Sequence, residues 1–306
     1  MQVSLDRARS APPAPTGLGG PTWLVTPGTA PERFTTAVGS GAEVVLLDLE
    51  DSVPAAAKSD ARAAVLAFAG GRAKGGAGPL LGVRINSADG TEGRRDIAAM
   101  AEQGAWPDLV VVPKVESGTD IAAIARAVRA AAAATHIWAL VESPRAIVGL
   151  PGIVRAPDLA GVLFGAADYA AAAGCRITSR VLWYPRAQLV TAAAAAGIPA
   201  VDSPYFSLDD PAGLHRESLE AVELGFVGKV AVHPRQLPVI AQAFAPGPHE
   251  LQAARAVLAA AAGASGSITT ADGAMVGPPL VEAARAVVRR AERSTDSTPT
   301  SDWNAS

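Results

Sequence analysis

The sequence predicts an α/β protein, a (β/α)8 TIM barrel with a C-terminal helical extension, on three observations. Short apolar runs recur along the chain, starting near residues 22, 43, 79, 107, 136, 159, 198 and 228. Between them lie stretches rich in Ala, Leu and Arg at helical spacing, such as 54–68, 119–133 and 209–224, with Gly or Pro at their ends. The glycine fingerprint of the competing doubly wound sheet is missing: "GLGGP" at 17–21 precedes the first run and does not link a strand to a helix.

The runs are "TWLVTP", "EVVLLDLED", "PLLGVRIN", "PDLVVVPKVES", "HIWALVES", "LAGVLFGAAD", "IPAVDSPY" and "GKVAVHP". Rich in Val, Ile and Leu and free of polar alternation, they read as parallel strands buried on both faces. Their number and spacing, roughly thirty residues per repeat, match a closed barrel spanning 21–245. Two further helical stretches, 248–262 and 278–293, exceed what closure requires. They form an extension, 246–293, expected to cap the barrel mouth or reach a neighbouring subunit. Residues 1–20, rich in Pro, Ala and Gly, and the Ser/Thr-rich tail 294–306 read as disordered.

Composition narrows the partners. A net charge of -3 with 18% charged residues offers neither a basic stripe for nucleic acid nor a polybasic patch for a membrane. Small molecules become the expected ligands. The single cysteine, Cys175, forms no intrachain disulfide and reads as an inert thiol in a reducing cytoplasm. The N-terminal stretch lacks the apolar segment of a secretory signal, and no run is long enough to span a bilayer.

In such a barrel the chemistry sits at the C-terminal ends of the strands. Ionisable residues ending the runs are Glu50, Asp51, Arg84, Lys114, Glu116, Glu142, Asp168 and Asp202, with Lys229 and His233 flanking the last. Several carboxylates and few histidines suit a hard cation with oxygen ligands, Mg2+ before Zn2+. Glu142 and Asp168, ending adjacent strands, are the most economical pair, and Arg84 offers a planar fork for a carboxylate or enolate oxygen. Plainer roles stand beside these. Asp51 and Ser52 would cap the helix opening at Pro54, Glu116 would cap the next, and Lys114 would pair with Glu116 or Glu142. His233 reads as a turn residue, and Lys58, Asp60 and Arg62 as a solvated helix face.

The stretches "LLDLEDSVPAAAKSDAR", "VRIN", "PKVES", "LVESPRAI", "FGAADYAAAAG" and "GFVGKVAVHPRQLPVI" resemble the citrate lyase beta-subunit family, within the HpcH/HpaI aldolase and malyl-CoA lyase group, from about residue 21 to 290. The resemblance implies a Mg2+-dependent lyase acting on 3-hydroxyacyl-CoA thioesters such as citryl-, malyl- or citramalyl-CoA, commonly as a homotrimer. By the same resemblance Glu142 and Asp168 hold the metal and Arg84 binds substrate. Glu50 and Asp51 line the site and help hold metal-bound water, and Lys114 and Glu116 form a polar layer behind the substrate. A metal-dependent aldolase acting on free 2-keto acids is the nearest alternative.

One departure stands out. Where active family members carry "DGxMIDxP", with the second Asp a catalytic acid/base over a neighbouring subunit's site, this chain reads "ADGAMVGPP". Gly277 occupies the place of that Asp, and Asp272 matches only the earlier acid. A non-catalytic CoA-ester binding protein is therefore a further alternative.

Overall fold

The computed structural model describes residues 20–72, 78–131, 133–262, 268–269 and 275–296. Residues 1–19, Asp272 and 297–306, on which expectations of disorder or of an acid fell, lie outside the described residues. The chain runs β1 (Thr22–Pro27), α1 (Phe34–Val38), β2 (Val44–Asp48), α2 (Lys58–Gly70), β3 (Leu80–Arg84), α3 (Thr91–Gln103), β4 (Leu109–Val112) and α4 (Gly118–Ala130). It continues through β5 (His136–Val141), α5 (Pro144–Ile153), β6 (Leu159–Phe164), α6 (Ala166–Ala173), α7 (Ser179–Ala196), β7 (Ala200–Asp202), α8 (Pro211–Leu224), β8 (Gly228–Ala231) and α9 (Leu237–Phe244). After α10 (Pro248–Ala262) come the two-residue strands β9 (Ile268–Thr269) and β10 (Met275–Val276), then α11 (Pro278–Asp296).

Strands β1 to β8 pair in parallel and in chain order, and β8 closes on β1. All eight expected strands are present. Two details differ from a simple strand–helix repeat. The β6–β7 connection holds two helices, α6 and α7, because Gly174 takes a left-handed conformation (φ 64°) that ends the first. The last helix runs to Asp296, past the expected end at 293, since no proline interrupts the chain before Pro299.

Side chains alternate along each strand between the barrel lumen and the helix layer. The lumen is filled by Trp23, Leu46, Leu109, Val111, Trp138, Leu163 and their neighbours. Trp23 and Trp138 meet edge to face at 4.8 Å, and Gly161 clears space for the larger ring: a Cβ there would lie 2.4 Å from Trp138. The outward set, including Val45, Leu47, Val83, Val110, Val112 and Phe164, packs against the helices. The same alternation sends Asp48, Arg84 and Glu142 inward at the strand ends, each two residues beyond lumen-side Leu46, Gly82 and Leu140.

Asp202 and Lys229, expected at the mouth, face the helix layer. Their parity matches Ala200 and Ala231, which belong to the outer core, whereas Val201 and Val230 fill the lumen. Asp202 receives Arg186 of α7 at 2.8 and 3.1 Å and Lys229 at 2.7 Å; Lys229 also reaches Glu217 of α8 at 2.7 Å. These charges tie the β7–β8 edge to its two covering helices. His233 keeps its expected turn role: its Nδ1 accepts the Arg235 amide at 3.1 Å. Helices α10 and α11 pack chiefly on each other and are cross-tied by Arg290 and Glu250. No helix among the described residues is long and apolar enough to cross a membrane.

Burial alone would raise the Asp202 carboxyl, but the charges of Lys229 and Arg186 outweigh it and hold the group below its ordinary 3.8. A depressed carboxyl contributes stability above its unfolded pKa and loses it as pH falls through the folded one. Asp202→Asn leaves Lys229 without its full counter-charge and should cost roughly 3–5 kcal/mol in urea unfolding at pH 7. The gap from the natural chain should shrink as pH drops below 3.8.

Candidate functional site

The ends of five consecutive strands, β2 to β6, build the site. At the end of β2 the chain reads Asp48, Leu49, Glu50, and period-two alternation turns both acids to the lumen while Leu49 enters the outer core. Asp48 is 1% exposed and takes Arg84 in a two-point bond, Nε to Oδ1 at 2.6 Å and Nη2 to Oδ2 at 2.7 Å. It also accepts the amides of Glu50 at 2.9 Å and Ser52 at 3.1 Å, and the Ser52 hydroxyl at 2.5 Å. Burial would lift the Asp48 carboxyl; the Arg84 bonds and charge, then Ser52 and the Glu50 amide, bring it below its ordinary value. Desolvation works against the Arg84 guanidinium likewise, and Asp48 and Glu50 reverse it, so its pKa rises.

Glu50 is held differently. It is 4% exposed, with Arg84 Nη1 at 3.1 Å and Lys114 Nζ at 2.8 Å, yet neither carboxylate oxygen has a hydrogen bond of ordinary geometry. Burial, the largest influence, leaves its pKa raised despite the two cations. Lys114 follows β4 in a left-handed conformation (φ 55°), a backbone cost of order 1–3 kcal/mol for a non-glycine residue. That turn aims its amide at Glu142 Oε1, 2.7 Å away. Its ammonium goes to Glu50 and, at 3.4 Å, to Asp51, so the partners expected from sequence, Glu116 and Glu142, are replaced. The reason is the direction of the turn, which swings the side chain back toward β2.

Glu142 ends β5 and is 4% exposed. Its pKa is pushed up to about 8, first by burial, then by the charge of Glu50, with Asp168 adding to it. Asp168 lies in the first turn of α6, after β6, where the chain must pass Gly165. A Cβ on Gly165 would sit 2.5 Å from Glu142 Cβ and 2.8 Å from its Oε2, so only glycine leaves that carboxylate its place. Glu50, Glu142 and Asp168 thus share one field of negative charge that Arg84 and Lys114 do not fully offset. A hard divalent cation would complete it. Among the described residues no three His, Cys or carboxylate groups close into a full metal cage; two carboxylates with substrate and water oxygens are the donor set magnesium favours.

Glu116 stands outside this cluster. It faces Arg145 at 3.4 Å and Ser143 at 3.4 Å and lines an opening of about 490 Å³ beside the mouth with Ser87, Asp89, Lys114 and Arg145. It does not cap α4; Ser117 does, in a capping box with Asp120, because the residue next to the helix has the shorter reach to its amides. Asp51 and Ser52 cap no helix either: Ser52 is spent on Asp48, and Asp51 is half-exposed toward Lys114. Lys58 and Arg62 depart from a solvated face as well. Lys58 Nζ bonds Leu49 O, Glu50 O and Asn86 Oδ1, and Arg62 bonds Asp96 and Glu92, because α2 lays this face against the ends of β2 and β3. Asp60 is exposed as expected. Sequence reasoning missed Asp48 as a site residue; its place two residues before Glu50 and two after Leu46 was the available signal.

Arg84→Met strips Asp48 of its two-point partner and leaves a carboxylate buried among strand ends. Urea unfolding at pH 7 should register a loss of roughly 3–5 kcal/mol.

The family model for HpcH/HpaI aldolase/citrate lyase matches residues 22–234. A citrate lyase subunit beta-like protein of Mycobacterium tuberculosis (strain CDC 1551 / Oshkosh) is 34% identical over 272 residues, covering 85% of this chain and 92% of its own. An L-malyl-CoA/beta-methylmalyl-CoA lyase of Rhodobacter capsulatus is 32% identical over 279 residues, covering 82% and 87%. Among solved structures, CitE from Mycobacterium tuberculosis in complex with magnesium, acetoacetate and coenzyme A superposes with a TM-score of 0.75 at 33% identity, over 90% of this chain and 98% of that one.

Proposed function

Because this chain belongs to the HpcH/HpaI aldolase/citrate lyase family, we propose that it is a Mg2+-dependent carbon–carbon lyase. Its substrate would be a 3-hydroxyacyl-CoA thioester such as malyl-, citramalyl- or citryl-CoA, cleaved or formed. The observation that carries this reading is the buried Glu142 carboxylate, raised to about 8 by desolvation and by the charges of Glu50 and Asp168, beside the Arg84–Asp48 clamp. Glu142 and Asp168 would hold the cation; a structure of the CitE relative is a complex with magnesium. Bound there, Mg2+ supplies Lewis acidity toward substrate carbonyl and carboxylate oxygens.

The chain's own residues do the rest. Asp48 fixes two of the three guanidinium nitrogens of Arg84, which leaves the Nη1 edge, now facing Glu50, for an anionic oxygen. Such an oxygen develops when the carbon–carbon bond next to a carbonyl opens to an enolate, and a preset donor is worth most where charge appears. Lys114 balances Glu50 across the mouth and also reaches Asp51. Glu116 and Arg145 line the opening through which the acyl-CoA would approach.

The proton is the open element of this chemistry. Gly277 carries no acid, and a positioned acid/base contributes roughly 10²–10⁴ in rate. Its carbonyl accepts the amides of Leu280 and Val281 at the start of α11, and a Cβ there would meet nothing closer than Pro279 Cδ at 3.7 Å. An Asp fits without rebuilding the helix. A CoA-ester binding role without turnover is the second reading, favoured by this glycine alone.

A homo-oligomer, with a trimer the form expected, and a cytoplasmic location belong to the same proposal. Support for association comes from Ile177, Val181, Trp183 and Tyr184 around the start of α7 and Phe206 and Leu208 after β7, all exposed; the two aromatics on α7 are each 59% exposed. Large apolar side chains gathered this way are commonly covered by another surface. Sedimentation of the natural chain should give a trimer, and Trp183→Glu with Tyr184→Glu should give smaller species.

The deciding assay is mass spectrometry of the purified chain with Mg2+ against malyl-, citramalyl- and citryl-CoA, with free 2-keto acids alongside. The reading expects cleavage of one CoA ester and none by Glu142→Ala. Gly277→Asp should raise the rate by up to the acid/base factor. Binding without turnover in both the natural chain and Gly277→Asp would sink the lyase reading, and turnover of free 2-keto acids alone would replace it with the aldolase one.

A further inference from the structure

Lys58 opens α2, ten residues beyond the end of β2, yet its ammonium is spent entirely at the barrel mouth. It donates to Leu49 O at 2.8 Å, Glu50 O at 2.7 Å and Asn86 Oδ1 at 2.6 Å. An ammonium has three N–H donors, so none remains for a ligand. The two carbonyls lie on the extension of β2 and the amide oxygen on that of β3. Asn86 is itself fixed: its backbone and side-chain nitrogens both donate to Asp96 Oδ2 at 2.8 Å, and Arg62 holds the other oxygen of Asp96 at 2.6 Å.

The consequence falls on Glu50. Its carboxylate has two ion contacts and no hydrogen bond of ordinary geometry, so its side chain does not anchor itself. Its peptide does: Asp48 takes the Glu50 amide at 2.9 Å and Lys58 takes the Glu50 carbonyl at 2.7 Å. We propose that Lys58 is a positioning residue that sets the Glu50 carboxylate opposite Arg84 and Lys114 and, through it, the charge field around Glu142. The inference rests on the Mg2+-lyase reading for what that field serves, and on the hydrogen bonds alone for where Glu50 is held.

The test uses the full chain with Lys58→Met, Glu50→Gln and the double variant. Mg2+ affinity is measured by calorimetry, overall stability by urea unfolding, and the metal-free Lys58→Met structure by crystallography. Lys58→Met should shift the Glu50 carboxylate and weaken Mg2+ binding 10- to 100-fold, the range for losing a residue that orients a metal site from behind. The double variant should match Glu50→Gln alone within roughly two-fold, because the two act in series. Lys58→Arg, whose planar fork cannot aim at three such oxygens, serves if the Met variant does not fold, and should show the same pattern.

A Glu50 carboxylate within roughly 0.5 Å of its natural place, or losses in Mg2+ affinity that multiply in the double variant, would overturn the proposal even if stability drops. Failure of the natural chain to bind Mg2+ would instead refute the metal reading, and the crystallographic comparison would still decide whether Lys58 holds Glu50.

Discussion

The two-point bond between Asp48 and Arg84 is the constraint on which the mouth of this barrel depends. It joins the ends of β2 and β3 where their ladder runs out, with Asp48 and Arg84 already register partners. A carboxylate 1% exposed is tolerable only because a guanidinium and three further donors surround it. Those same donors fold the next four residues into a tight turn, which delivers Glu50 to the lumen and Ser52 back onto Asp48. The guanidinium is held flat with one edge toward the cavity. Removing this pair would take away the reference against which Glu50, Lys114 and Glu142 are placed.

Around that fixed point the charge is deliberately unequal. Arg84 and Lys114 answer Asp48 and part of Glu50, and Glu142 has only a backbone amide and the weaker pull of Arg84's charge within the described cluster. The cost of holding such a carboxylate out of water is what lifts it to about 8, and it marks the spot where an added positive charge gains most. The left-handed turn at Lys114 and the missing side chain at Gly165 both serve this one group, one by supplying the amide and the other by clearing room. Elsewhere the chain matches its charges closely: Asp202, Arg186, Lys229 and Glu217 form a closed set inside the wall.

The strands were readable from sequence because burial on both faces demands uninterrupted Val, Ile and Leu. Glu50, Arg84, Glu142 and Asp168 were readable as strand-end residues for the complementary reason, that ionisable groups closing an apolar run point to a polar mouth. What could not be read was direction. Asp202 and Asp48 both end strands, yet one residue of parity sends the first to the helix layer and the second to the lumen, and parity is fixed by register around the whole barrel. Lys58 and Arg62 carry a further lesson. Their helical spacing resembles a solvated face, and only the angle at which α2 crosses the β2 and β3 ends makes that face a partner of the site. Glu116 lies beside the opening, one residue before the position that caps α4 and outside the carboxylate cluster.

Below the mouth, the lumen is closed by stacked side chains, with Trp23 and Trp138 edge to face and Gly161 recessed to admit the indole. The lumen therefore has a packed floor below Glu142, which lies two residues beyond Leu140. Glu142 is buried above that floor, whereas Glu116 and Arg145 beside the opening are exposed. The packed tryptophans thus give the polar strand ends a dry, rigid base.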